Sequence, residues 1–340
     1  MGSRLEISRL DAADDSEMTL WHATYARAHS YGLTHPSPWL KEEMRATFLG
    51  EQVGERSEPF AGCVEGRLVA TGILTSPLKD NRHLAFVDVA TDPDHRRAGH
   101  GTAMLDHLGE LASLDGRDTL MADAAWPFDG APDGAGTGNA EFLTRLGFAF
   151  SLGDIKRALH LPVDPALLDR LVAEAEPRHT GYELRSFRGP VPDDIIDSLG
   201  ALIGTLVTEA PMGDLDVEPE VFDAERLRAD EKVVEAAGRR AYLTVAIGPD
   251  GDVVAYSELR VPGHEPDRVY QLGTLVRPEH RGRALGLATK VHNLRQLQAA
   301  EPDRRTVYTY NAEVNAHMVR LNDALGFRPV ERLGEFQKKL

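Results

Sequence analysis

A short arginine-led pattern that occurs twice constrains this chain of 340 residues more than any other feature. The pattern is Arg-x-x-(Gly/Ala)-x-Gly, and its copies are Arg96 to Gly101 and Arg281 to Gly286. Each copy follows an apolar, strand-like run and opens an amphipathic run that predicts a helix. A tight turn at a helix start directs several backbone N–H groups, and about half a positive charge, toward one point. The sequence therefore predicts two sites for a phosphate-bearing ligand.

The composition of the turn suits a diphosphate. Arginine supplies a planar donor fork and a permanent charge, and the small residues allow a ligand to approach the backbone closely. The turn is neither the Gly-x-Gly-x-x-Gly dinucleotide fingerprint nor a Gly-Lys-Ser/Thr nucleotide loop.

A second repeated block indicates that the chain arose by duplication. Leu146-Gly147-Phe148 and Leu325-Gly326-Phe327 each follow a helical run downstream of a turn. The two arginines are 185 residues apart and the two blocks are 179 residues apart, so the halves nearly register. Each half is predicted to run strand, helices, three strands, helix, strand, helix, strand. We therefore expect an α/β (α+β) protein with domains at residues 1–161 and 181–340, joined by a helical connector at 162–180.

With these residues identified, the chain resembles the GNAT superfamily, the GCN5-related N-acetyltransferases, as a tandem two-domain member. The resemblance implies that each half is a mixed, mostly antiparallel sheet flanked by helices, with its fourth and fifth strands splayed apart. It also implies that the arginine turn binds the pyrophosphate of acetyl-CoA, the co-substrate. Asn311, Asn315 and Met318 fit the family pattern in the second half, which favours that half as the catalytic one.

The coenzyme-contacting residues that the resemblance implies lie on the fourth strand, in the turn and at the following asparagines. In the first half they are Ala90, Thr91, Arg96, Arg97, Ala98, Gly99, His100 and Gly101. In the second half they are Leu275, Val276, Arg281, Gly282, Arg283, Ala284, Leu285, Gly286, Asn311 and Asn315.

The reaction implied is direct attack of an amine on the thioester carbonyl. A lysine-like amine has a pKa of about 10.4 and needs a base near neutral pH; the candidates are Asp88, Glu258 and Tyr310, with His317 less favoured. The family often has a tyrosine four residues before the glycine of Leu-Gly-Phe, as general acid. Here those positions hold Leu143 and Asn322, so the acid is left open.

The net charge and the cysteine content limit the kinds of ligand and the cellular location that we expect. A formal net charge of −16 disfavours nucleic acid and favours a small, cationic amine as acceptor. Cys63 is the only cysteine, and no run is long and apolar enough for a membrane span. We expect a cytoplasmic monomer or homodimer without a metal or a membrane partner. Two alternatives stay open: a non-catalytic acyl-CoA-binding or regulatory protein, and a transferase that uses another acyl-CoA.

Overall fold

The computed structural model describes residues 4–51 and 53–340, which form two compact units. Unit 1 is built from the chain up to Asp154 together with Met212–Asp216 and Val330–Leu340. Unit 2 consists of Ile155–Pro211 and Val217–Pro329. The units therefore differ from the contiguous domains 1–161 and 181–340 expected from the sequence. The end of the chain belongs to unit 1, and the expected connector belongs to unit 2.

Unit 1 follows the predicted order of elements and takes its last strand from the end of the chain. Its strands are β1 (Glu6–Arg9), β2 (Glu55–Val64), β3 (Arg67–Pro77), β4 (Leu84–Thr91), β5 (Thr119–Pro127) and β12 (Arg328–Lys339). Its helices are α1 (Asp15–Ser30), α2 (Lys41–Leu49), α3 (His100–Leu114) and α4 (Gly138–Arg145). The strands neighbour one another in the order β1-β2-β3-β4-β5-β12.

The sheet of unit 1 buries both of its faces under helices. On one face, apolar residues of α3 such as Met104 and Leu108 pack against Leu74 and Val87. On the other face, α1 and α2 cover part of the sheet, and Trp21 donates a hydrogen bond of 2.7 Å to the backbone oxygen of Phe60. β1 with β2, β2 with β3, β3 with β4 and β5 with β12 pair antiparallel, and β4 with β5 pair in parallel. This is the mixed, mostly antiparallel sheet predicted.

Unit 2 repeats this plan. Its strands are β6 (Ala149–His160, which begins in unit 1), β7 (Glu183–Arg188), β8 (Arg240–Ile247), β9 (Val253–Val261), β10 (Arg268–Val276) and β11 (Thr306–Ala312). Its helices are α5 (Pro165–Ala175), α6 (Ile196–Ile203), α7 (Leu206–Glu209), α8 (Ala224–Ala236), α9 (Leu285–Ala300) and α10 (Ala316–Leu325). The strands neighbour one another in the order β6-β11-β10-β9-β8-β7.

Two segments of unit 2 carry helices that pack on its body. The acidic segment 209–231 leads into α8, whose first turn is capped by the side chain of Asp223. The connector 162–180, predicted to be helical, contains α5, and its Leu168 and Leu171 pack in the same core as Val291 of α9. Burial of an apolar face stabilises short helices of this kind. No helix among the described residues is long and apolar enough to cross a bilayer.

Glu301, at the end of α9, ties unit 2 together through three donors. It accepts hydrogen bonds from Arg240 (2.6 and 2.9 Å), Tyr242 (3.0 Å) and Arg304 (3.3 Å). Burial acts to raise the pKa of Glu301, but the hydrogen bonds from Arg240 and Tyr242 outweigh it and lower the pKa to about 2. The contacts therefore stabilise the folded form only while this carboxyl is ionised.

We expect Glu301→Ala to lower the free energy of unfolding by about 2 kcal/mol at pH 7, because it leaves the partly buried guanidinium of Arg240 and the hydroxyl of Tyr242 without this acceptor. Since the folded pKa is depressed, this stabilisation is present above the usual carboxyl pKa and is lost as the pH falls toward 2. Urea denaturation followed by circular dichroism measures it. The exposed neighbour Asp303 is the control, and an equal loss in Asp303→Asn contradicts the assignment.

Candidate functional site

The fourth and fifth strands of unit 1 separate along their length and leave a cavity between them. β4 and β5 pair in parallel only from Leu84 with Thr119 to Phe86 with Met121. Beyond that point β4 remains paired with β3 up to Thr91, so its other edge faces the gap. A cavity of about 490 Å³ opens there and reaches the start of α3. The splayed strands predicted from the sequence are present.

The arginine turn of unit 1 presents free amides to this cavity. Arg97 (φ 65°) and Gly99 (φ 85°) both adopt the left-handed conformation. α3 begins directly after them without a side-chain cap among the described residues, whereas α1 is capped by Asp14. The first amides of an uncapped helix lack acceptors and favour an anion. The turn therefore fits a phosphate group.

Arg96 is held at the turn without a carboxylate partner among the described residues. Its guanidinium donates to the backbone oxygens of Thr91 (3.4 Å) and Ala28 (3.2 Å). It also lies 4.6 Å from the ring centre of Tyr31. These contacts use some of the N–H donors of the Arg96 guanidinium, and no carboxylate among the described residues neutralises its charge. Ala28 lies in the last turn of α1 and Tyr31 directly follows that helix, far from Arg96 in the chain, so sequence reasoning did not find them.

Carboxylates line the same cavity. Asp88 accepts a hydrogen bond of 3.0 Å from Nε2 of His29, and both residues line the cavity together with Asp123. Continuing the register of Phe86 with Met121 places Asp88 and Asp123 on the same face of the two splayed strands. The burial of His29 lowers its pKa, but Asp88 outweighs this and the pKa of the imidazole is raised.

Two more carboxylates complete this group, which we call the acidic face: Asp88, Asp123, Asp154 and Glu335. Glu335 stands directly opposite Asp123 in the antiparallel ladder of β5 and β12. Burial, together with Asp88 and Asp154, raises the pKa of Asp123 to about 7. Burial also raises the pKa of Asp154 to about 6 and, together with Asp123 and Asp154, that of Glu335 to about 8.

Unit 2 has a cavity of about 690 Å³ at the matching place. β10 and β11 pair only from Arg268 with Thr306 to Gln271 with Thr309 and then separate. The turn again has two left-handed residues two apart, Gly282 (φ 80°) and Ala284 (φ 57°). In each turn one of the two left-handed residues is a glycine and the other is not. The glycine comes second in unit 1 and first in unit 2. α9 also begins without a side-chain cap among the described residues.

Unit 2 differs at the positions that match Asp88 and Asp123 of unit 1. Gly273 takes the place of Asp88, as the offset of 185 residues predicted, and the Tyr256 hydroxyl fills the space where a Cβ at Gly273 would lie. Asn311, which takes the place of Asp123, accepts a hydrogen bond of 3.0 Å from Asn322. Asn322 in turn accepts one of 2.6 Å from the buried Lys290. Burial lowers the pKa of Lys290 to about 7.

Most of the predicted coenzyme residues line the two cavities. In unit 1 these are Ala90, Thr91, Arg96, Arg97, Gly99, His100 and Gly101. In unit 2 they are Leu275, Val276, Arg281, Gly282, Ala284, Leu285, Gly286 and Asn315. Asn315 also caps α10 by accepting from Met318. Ala98, Arg283 and Asn311 are not among the described residues that line the cavities.

The three predicted bases fall in different surroundings. Asp88 lies in the cavity of unit 1. Glu258 is buried and forms an ion pair with Arg260, and Tyr310 contacts the ammonium group of Lys156 at 5.7 Å from its ring centre. Neither Glu258 nor Tyr310 is among the residues that line the cavity of unit 2, although His317 is.

Comparison with known proteins agrees with this geometry. The model of the acetyltransferase (GNAT) family matches residues 22–126, which include the second half of α1, the splayed strands and the arginine turn of unit 1. A search of curated proteins finds no match.

Solved structures resemble the whole chain. A tandem GNAT protein from the clavulanic acid biosynthesis pathway is 27% identical, with 99% of this chain and 98% of that chain covered and a TM-score of 0.79. A GCN5-related N-acetyltransferase from Sphaerobacter thermophilus is 15% identical, with 98% and 95% covered and a TM-score of 0.66. A putative acetyltransferase from Pyrococcus horikoshii is 11% identical, with 99% and 89% covered and a TM-score of 0.55. The last two show the fold alone.

Proposed function

We propose that this chain is a tandem member of the acetyltransferase (GNAT) family, which its residues 22–126 match, and that unit 1 transfers the acetyl group of acetyl-CoA to an amine of a small, cationic acceptor. The observation that carries the proposal is a single cavity in unit 1 that is lined both by the arginine turn and by the carboxylates Asp88 and Asp123. Such a cavity offers one site to a phosphate-bearing donor and another to an ammonium-bearing acceptor.

The turn and the open edge of β4 hold the coenzyme in this proposal. Arg96 and the first amides of α3 bind its linked phosphates. Backbone groups of Ala90 and Thr91, on the unpaired edge of β4, bind its extended arm. Acetyl-CoA, when bound, supplies an acetyl thioester. A backbone N–H of the splayed strand then stabilises the negative charge that develops on the carbonyl oxygen.

Asp123 is the general base in this proposal. Its pKa is raised to about 7, so near neutral pH it is ionised in a large fraction of molecules and still basic enough to accept a proton. It takes a proton from the acceptor's ammonium group, and the freed amine forms a C–N bond as the C–S bond of the thioester breaks. We keep Asp88, predicted from the sequence, as a partner that orients the acceptor through its pair with His29.

The departing thiolate needs little help from this site. A thiol has a pKa of about 8.5 and is a tolerable leaving group near neutral pH. The family's tyrosine position holds the buried Leu143 in unit 1. The leaving sulfur therefore takes, through solvent, the second proton that the nitrogen loses as the amide forms, and Asp123 returns the ammonium proton to solvent.

The acidic face favours binding of a positively charged acceptor. Asp123, Asp154 and Glu335 have raised pKa values because packing partly desolvates their carboxyl groups and because Asp123 and Glu335 lie near other carboxylates. Among the described residues no group of His, Cys, Asp and Glu side chains is arranged to hold a metal ion. A bound cation relieves the repulsion between these carboxylates. We therefore propose an acceptor with a second positive charge besides the reacting amine, and the 39% exposed ring of Phe86 suits an apolar portion of it.

The residues of unit 2 at the positions of Asp88 and Asp123 argue against acetyl transfer there. Gly273 and Asn311 replace the two carboxylates, and Tyr256 fills the space beside Gly273. Amide and glycine cannot accept a proton from an ammonium group. We therefore propose the first half as the catalytic one, whereas the asparagines of the sequence had favoured the second half. We propose that unit 2 binds coenzyme through Arg281 without catalysing transfer, which retains part of the binding-protein alternative.

A panel of amines tests the proposal. Thiol release from acetyl-CoA is measured with neutral, monocationic and dicationic amines of similar size. We expect kcat/KM to be highest for the dications, and their KM to fall as the pH rises from about 6 to 8, because the carboxylates ionise over that range. Replacing acetyl-CoA with succinyl-CoA or a longer acyl-CoA separates the acyl-donor alternative.

Glu335→Gln removes one charge of the acidic face. We expect it to raise the KM for dications about tenfold, as loss of one charge-assisted contact does, and to change the KM for monocations much less. Equal effects on both classes, or no acetylation of any amine, would contradict the proposed acceptor.

Cysteine content and net charge bear on the location and the assembly of the protein. The single cysteine of the sequence needs no oxidising compartment, and we propose the cytoplasm on that basis. We propose a monomer or homodimer, without a nucleic-acid or membrane partner, since the net charge of −16 repels anionic polymers and anionic lipid surfaces.

A further inference from the structure

The two arginine turns differ in what holds their arginine. In unit 1 the guanidinium of Arg96 contacts backbone oxygens and the Tyr31 ring. In unit 2 the equivalent Arg281 donates to the backbone oxygen of Val276 at 3.3 Å and, through Nη2, to the carboxylate of Glu209 at 2.6 Å. The second turn thus carries an internal anion on the group that would bind a phosphate.

Glu209 belongs to a segment that lies against the cavity of unit 2. This segment, Leu206–Pro211, contributes Leu206, Glu209, Ala210 and Pro211 to the cavity lining. Its helical part, α7, has only four residues. It therefore depends on its contacts with the turn more than on its own hydrogen bonds.

We propose that Glu209 is an internal substitute for the coenzyme's phosphate and that the segment Leu206–Pro211 gates the second coenzyme site. This inference rests on the proposal that unit 2 binds coenzyme. Binding requires Arg281 to leave Glu209, and the released carboxylate then lies near the incoming phosphates, which it repels. The second site is therefore weaker than its turn alone would make it, and unit 1 fills first.

The exposure of the pair sets the size of the effect. The Arg281 side chain is 49% exposed and that of Glu209 is 30% exposed. An ion pair this exposed changes an equilibrium constant by a factor of up to about 5. We therefore expect removal of the carboxylate to tighten coenzyme binding at the second site about fivefold.

Calorimetric titration of coenzyme A into Arg96→Ala and into Arg96→Ala/Glu209→Gln isolates the second site. We expect the double variant to have a Kd about fivefold lower. Glu279→Gln, in the same turn and exposed, is the charge-matched control and should leave the Kd unchanged. When Arg281→Ala is added, Glu209→Gln should lose most of its effect, because the ion pair no longer competes with the phosphates and only the direct repulsion by the carboxylate remains.

Two results overturn the gate: equal Kd values with and without Glu209, or no uptake by unit 2 in either variant. The proposed acetyl transfer in unit 1 is judged separately, from thiol release by the wild-type protein, so its failure is distinguishable. If Arg96→Ala does not fold, wild-type protein and Glu209→Gln are titrated instead. We then expect two binding steps in each titration, and Glu209→Gln should lower the Kd of the second step only.

Discussion

Asp123→Asn should lower kcat for acetyl transfer by a factor of about 10²–10⁴, the usual contribution of a general base. The amide has the same shape but cannot accept the ammonium proton. Since the pKa of Asp123 is raised to about 7, the wild-type rate should rise with pH up to that value and then level off. The variant should lack this step. Thiol release measured from pH 5.5 to 9 gives both results.

Binding of the coenzyme separates a chemical role of Asp123 from a structural one. The variant should bind acetyl-CoA with the wild-type Kd, because the turn and α3 are unchanged. Asp129→Asn, an exposed residue of the same unit, is the matched control and should retain full activity. A variant that keeps its rate, or that keeps the pH step near 7, would show that another group removes the proton.

Arg96→Ala should weaken binding of coenzyme A to unit 1 by a factor of about 10–100, the loss expected for one charge-assisted contact to phosphate. The loss should be smaller for pantetheine fragments without phosphates, because Arg96 does not reach their atoms. Calorimetric titration, with thiol release as the readout of unit 1, measures both. Arg67→Ala, at the exposed start of β3, controls for the change in net charge.

An unchanged KM for acetyl-CoA in Arg96→Ala would contradict the assignment of the first turn as the phosphate site. A fall in kcat without a change in KM would instead indicate that Arg96 acts on the acceptor end through its contact with α1. The structure disfavours that result, because the Ala28 contact is made by a backbone oxygen.

The repeated turn was readable from the sequence because its determinants are local. Small residues and an arginine at fixed offsets are needed to form the turn, and both copies do place left-handed residues at matching positions. The splayed strands were also predicted correctly, through the resemblance that the turn supports. Asp88 was placed on the correct strand and was found beside the cavity.

The acidic face was not readable from the sequence. Asp123, Asp154 and Glu335 lie on three strands that are distant in the chain, and Glu335 joins Asp123 only because the last strand pairs with β5. His29 meets Asp88 across 59 residues. No local period or motif connects these positions, so only the pairing of strands reveals them.

The sequence by itself determined the two arginine turns, the internal repeat and the resemblance to the acetyltransferase (GNAT) family, because a helix start and its flanking strand are encoded within about a dozen neighbouring residues. Tertiary structure alone decided which arginine pairs with a carboxylate and which splayed strands carry carboxylates. Among the described residues Arg96 has no carboxylate partner, whereas Arg281 pairs with Glu209, and Tyr256 fills the space beside Gly273. Those outcomes depend on packing between segments far apart in the chain, where burial and charge are set by neighbours that no local pattern names.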